Sequence, residues 1–95
     1  MNEDDAALIE RHIEWDPHHP GPSDVRLSES WVPVWAVIGH LPSVGGDAEQ
    51  AAADYELTAE AMAAALAYYE ANRGAIDARL AANAGEPRIP VTTGS

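Results

Sequence analysis

The apolar positions of this chain change rhythm twice. In "RHIEW" they alternate, with Ile13 and Trp15 on one face, and "VRL" and "WVPV" continue the two-residue period on either side of the turn-prone "SES". This predicts a short N-terminal β element, its pieces separated by a segment in which Pro17, Pro20 and Pro22 exclude a long helix. From Pro33 the period lengthens. Val34, Val37, Ile38 and Leu41 fall at helical spacing, proline suits the first helical position, and "PSVGG" punctuates the end. Asp47 is placed as the N-cap of a short helix through about Tyr55, with Gln50 three residues on as in a capping box. Thr58 caps the next helix, along which Met62, Leu66, Tyr69, Ile76 and Leu80 form one apolar seam that also carries Arg73. The phase of the seam survives Gly74, so one helix to about Asn83, bent at Gly74, is predicted. Its opposite face carries Ala64, Ala67, Ala71 and Ala78: good helix formers, and small enough to let another backbone approach.

The pattern divides the chain into an acidic N-terminal segment (1–8), a mostly α-helical domain with a helix-turn-helix-like bundle and the short β element (9–83), and a Pro- and Gly-containing flexible tail (84–95). Ninety-five residues suit one small domain, and with no phenylalanine and an apolar share resting on alanine its core is thin. With no cysteine, a disulfide framework and a thiolate metal site are excluded. The acidic start is unlike a secretory signal and no apolar run reaches the length of a membrane span, so the expected location is the cytoplasm.

Charge changes the picture most. Five arginines and no lysine face sixteen acidic residues, for a net charge of -11, and no cation lies between Tyr55 and Asn72. Such a field repels phosphate, and DNA binding needs clustered cations to release counterions. The charge favours a basic protein partner, with DNA bound only weakly or through a complex. The apolar stretch from Trp31 to Leu41 and the alanine face together suggest a homodimer.

Candidate chemistry is sparse. His12, His18 and His19 with Glu14 and Asp16 use a metal-ligand vocabulary, but adjacent histidines in a proline-rich loop are more often solvated, and no metal or cofactor is assigned. His40 reads as an interfacial residue. No nucleophile motif, Walker loop or dinucleotide fingerprint occurs, and no enzyme activity is expected. Trp31 and Trp35 flank Pro33 and are either core fillers or interface anchors. Of the adjacent tyrosines only Tyr69 lies on the seam, which makes Tyr68 the contact candidate.

The run "IERHIE", then "RLSESWVPV", then "DAEQAAADYELTAEAMAAALAYYEANRGAID" resembles the small bacterial family called domain of unknown function number 433, whose members look like VapB-type antitoxins. The likeness spans roughly residues 9 to 82 and is most specific in "YELT" and "AALAYYEANRGAID". It implies a small helical domain with a helix-turn-helix-like core, often dimeric, whose partner is a PIN-like ribonuclease-type toxin. Where the family carries a glycine, then Thr or Arg, then Arg, this chain has Glu29, Ser30 and Trp31: a basic turn has become acidic and aromatic. The glycine pair that precedes that turn in the family is reduced to "PGPS". Antitoxins of this type commonly neutralise with a segment that orders on binding, and in the tail Ile89 and Val91 alternate as a strand added to a partner's sheet would. The alternative reading is a helix-turn-helix transcriptional regulator that binds DNA itself through residues 58 to 72, with Thr58, Glu60 and Asn72 offering hydrogen bonds to bases.

Overall fold

Glu3, Asp4 and Asp5 precede Ala6, Ala7 and Leu8, and Arg11 and His12 come last, an order of charges that complements a helix dipole. The computed structural model, which describes residues 3–18 and 21–85, turns this segment into helix α1 (Glu3–His12). That corrects two expectations. The boundary placed at residue 8 falls inside a helix, and "RHIEW" yields only strand β1 (Ile13–Glu14), because helix propensity and packing carry α1 through Arg11 and His12.

Strand β1 pairs antiparallel with β2 (Arg26–Leu27), Ile13 opposite Leu27 and Glu14 opposite Arg26. The third strand is reduced to an isolated bridge between Arg26 and Pro33. The chain turns back between them, with Trp31 N–H donating to Leu27 O and Leu27 N–H to Val32 O, both at 2.8 Å. Proline then ends the ladder, since it has no N–H to donate.

Helix α2 (Val34–His40) has Pro33 as its N-cap and buries Val34, Val37 and Ile38. A 3₁₀ turn (Leu41–Val44) comes next and closes at Gly45, whose φ of 66° is left-handed. Asp47 then caps α3 (Ala48–Asp54), its side chain accepting from Glu49 N–H at 3.0 Å and Gln50 N–H at 3.2 Å. The reciprocal arm of the capping box is not made: the Gln50 amide points forward and donates to Asp54 at 2.8 Å. Thr58 caps α4 (Ala59–Ala71) by accepting from Ala61 N–H at 3.0 Å.

The long helix is broken, and not at Gly74. Asn72 leaves helical geometry at φ -134°, ψ 37°, and α5 (Arg73–Gly85) starts afresh. The Asn72 side chain donates to Tyr68 O at 3.1 Å, the local competition for backbone groups by which asparagine ends helices. Gly74 meets open space, with nothing within 4 Å of where its Cβ would sit.

The buried face of α4 also differs from the seam. Met62 and, on α5, Ile76 are buried, but Leu66, Tyr69 and Leu80 are only half-buried, while Ala61, Ala64, Ala65, Ala67 and Tyr68 are inside. Helix α1 packs along α4. Arg11 and His12 lie beside Glu60, and Asp5 shares a recess with Ala67 and Ala71, so the two helices run antiparallel. Small side chains thus admit a neighbour at Ala64 and Ala67, whereas Ala71 and Ala78 face solvent. The core proper joins Val25 and Leu27 to Val34, Val37 and Ile38 of α2, Met62 of α4 and Ile76 of α5. Among the described residues no helix is long and apolar enough to cross a membrane.

Candidate functional site

Two loops stand side by side where α1 ends. One is the turn after β2, with Ser28, Glu29 and Ser30; the other joins α3 to α4 through Tyr55, Glu56, Leu57 and Thr58. The second closes α3 with paired bonds, Leu57 N–H to Ala52 O at 2.8 Å and Glu56 N–H to Ala53 O at 3.1 Å, the six-to-one and five-to-two pattern that asks for a left-handed residue between them. That residue is Glu56, at φ 58°; in the first loop Trp31 takes φ 60°. Among the described residues these are the two non-glycine positions with positive φ, a conformation costing about 1–2 kcal/mol per residue.

Between the loops lies a groove of about 390 Å³ lined by His12, Glu29, Ser30, Glu56 and Thr58 among others. His12 is buried, at 8% exposure, and its Nε2 has no hydrogen-bond partner. Glu60 Oε1 stands 3.6 Å away, beyond hydrogen-bond length, and a buried polar atom left unsatisfied costs about 1–3 kcal/mol. Sequence reading grouped His12 with His18, His19, Glu14 and Asp16 as a metal-ligand vocabulary. Among the described residues no three His, Asp or Glu side chains converge as a metal site. His19 lies outside those residues. His40, read as interfacial, is engaged within the chain: Nε2 is 2.7 Å from Asp54, Ser43 Oγ is 3.0 Å from Nδ1, and the ring meets Tyr55 edge-on. The hydrogen bonds from His40 and Gln50 hold the Asp54 carboxyl below its usual range.

The partner-binding candidates separate. Trp31 is exposed, at 42%, and its position is fixed by Arg26, whose guanidinium lies 5.6 Å from the ring centroid and donates to Trp31 O at 2.9 Å. Asp16 holds that arginine in turn through Nε at 3.0 Å. Trp35 is half-buried beneath Arg79, 5.0 Å from its ring, and Arg79 pairs with Asp24. Tyr68, taken as the contact residue, is buried at 6% exposure with its hydroxyl donating to Pro22 O at 2.5 Å; the more exposed of the pair is Tyr69, bonded to Asp77 at 2.8 Å. The seam assigned these two the wrong way round because the surface that α4 buries is set by α1 and by the loop before β2, where Pro22 O accepts from Tyr68. Ile89 and Val91 lie outside the described residues. Trp15, at 59%, is the most exposed large apolar residue described; alternation had put it on one face with Ile13, which is half-buried.

Every arginine among the described residues faces a carboxylate of the same chain: Arg11 and Glu60 at 3.7 Å, Arg26 and Asp16 at 3.0 Å, Arg73 and Glu70 at 2.9 Å, and Arg79 with Asp24. On the helix considered for DNA, Thr58 and Asn72 spend their side chains on Ala61 and Tyr68. Of the grounds for a homodimer, the Trp31–Leu41 stretch buries Val34, Val37 and Ile38 within the chain but leaves Trp35 and Leu41 half-buried and Trp31 exposed, and α1 packs along α4. Comparison with protein-family models, with curated proteins and with solved structures finds no match for the chain.

Proposed function

We propose that this chain is a non-catalytic, antitoxin-like module that neutralises a basic protein, of the PIN-like ribonuclease kind, by covering it with acidic and aromatic surface. The observation that carries the reading is the pairing of every described arginine with a carboxylate of its own chain, on a molecule of net charge -11. Phosphate neutralisation, which supplies most non-specific affinity for nucleic acid, has no free cation to work with on α4. A basic partner, by contrast, is steered toward such a field. Trp31 and Trp15 supply apolar area of the type enriched at interface hot spots.

The test sets two binding measurements side by side: inhibition of a basic PIN-like nuclease encoded beside this protein, and gel shift with operator-sized DNA at low salt. Saturable, salt-weakened inhibition is expected, and Trp31→Gly should weaken it at least tenfold, about 1.4 kcal/mol, without loss of fold. Tight sequence-specific DNA binding by the chain alone, with no effect on the nuclease, would replace the reading with a transcriptional regulator.

A further inference from the structure

The groove beside His12 combines three features. It is walled by Glu29 and Glu56 from two separate loops, with Glu60 next to it. It has in its lining an imidazole nine-tenths buried whose Nε2 lacks a hydrogen-bond partner. And both loops that form it hold a non-glycine residue in left-handed backbone, a strain that glycine would remove. We infer that this groove receives an arginine side chain of the basic partner, an inference that rests on the partner reading above and specifies where its charge docks.

Guanidinium suits the chemistry better than ammonium. It is planar, carries five N–H donors directed along a fixed fork, and is weakly hydrated, so it enters a recess lined on opposite sides by carboxylates at lower desolvation cost than lysine. Two of those donors meet Glu29 and Glu56. The His12 imidazole lines the same groove, so a bound guanidinium lies beside the ring whose Nε2 has no hydrogen-bond partner in the free protein. Apolar Leu27, Val32 and Leu57 line the same groove and suit the methylene stem. Glu60 is already beside Arg11, at 3.7 Å, so it contributes field rather than a free acceptor.

The experiment uses the full chain labelled with nitrogen-15 and tracks the His12 imidazole nitrogens by NMR as N-acetyl-arginine-N-methylamide is added, with the lysine analogue and sodium chloride as controls. A saturable shift of His12 Nε2 with the arginine compound, at least threefold weaker with lysine and absent with salt, is expected. Glu56→Gln and Glu29→Gln should each weaken it at least tenfold, and Glu49→Gln, outside the groove, should leave it unchanged. No response of His12 at millimolar ligand, or equal responses to arginine, lysine and salt, would overturn the assignment. The partner reading fails separately. If the nuclease is bound normally by Glu56→Gln protein, the groove is wrong and the partner stands; if arginine binds but no basic protein does, the groove stands and the partner falls.

Discussion

Helix α3 is flanked by two corners built to the same plan. The one before it ends the 3₁₀ turn with Gly45 at φ 66°, Gly46 N–H reaching Leu41 O at 2.8 Å, and Asp47 capping the next helix. The one after it ends α3 with Glu56 at φ 58°, Leu57 N–H reaching Ala52 O at 2.8 Å, and Thr58 capping α4. Bonds and caps correspond; the backbone differs, since the first corner holds Gly46 at φ 79° as well as Gly45 in left-handed geometry and the second holds Glu56. Glycine occupies that position without a Cβ penalty where the corner borders no groove residue, and a Cβ at Gly45 would meet nothing within 4 Å. At the second corner a carboxylate side chain holds the same conformation, and that corner lines the groove beside His12. Strain accepted at Glu56, at a turn whose counterpart uses glycine, fits the proposed use of that side chain.

The contrast between the corners is tested most severely at the glycine. Gly45→Val puts a β-branched residue into left-handed backbone and should cost about 2 kcal/mol, which for a domain of this size lowers Tm by roughly 8–16 °C; a change within error would mean that the corner relaxes and its φ is not demanded. Next come the caps. Asp47→Ala and Thr58→Ala should each cost about 1 kcal/mol in urea unfolding, and a much larger loss at Thr58 would show that the groove corner carries stability as well as shape. The opposite sign is expected at Glu56→Gly. Stability should rise by up to about 1 kcal/mol while the His12 response to arginine disappears, and a loss of stability would remove the case for strain kept for a purpose. The smallest effect concerns Asp54, which lies at the end of α3 and bonds His40. Because that bond depresses its pKa, the stability it adds is complete above the ordinary carboxylate value near about 3.9 and is lost as pH falls through the lowered one. In His40→Gln protein the Asp54 titration measured by NMR should move back up; an unmoved curve would assign the shift to Gln50.

Both caps were legible in the chain because a cap is a bond across two or three residues: Asp47 and Thr58 announce themselves by their own type and by the helix formers immediately after them. The left-handed corner at Glu56 was not, since glutamate gives no sign of that conformation. The groove was legible only in fragments. His12 was singled out for the wrong neighbours, Glu29 and Ser30 for replacing a basic turn, and Trp31 for its apolar context; no spacing in the sequence joins residue 12 to residues 29 and 56.

The order of residues alone therefore settles what is local or summed over the whole chain: α2, α3 and the start of α4, with their caps at Asp47 and Thr58, and a charge unsuited to phosphate; the break at Asn72 that starts α5 was not among them. Tertiary packing chose which faces are used. On an alanine-rich helix such as α4 the apolar and polar sides differ little in hydrophobicity, so burial depends on what packs there. Helix α1 along Ala64 and Ala67, and the Pro22 carbonyl that accepts from Tyr68, turned that helix inward on a face the seam did not indicate. The same long-range packing buried His12 and left Trp31 and Trp15 outside, because burial at those positions depends on partners distant in sequence rather than on neighbours along the chain.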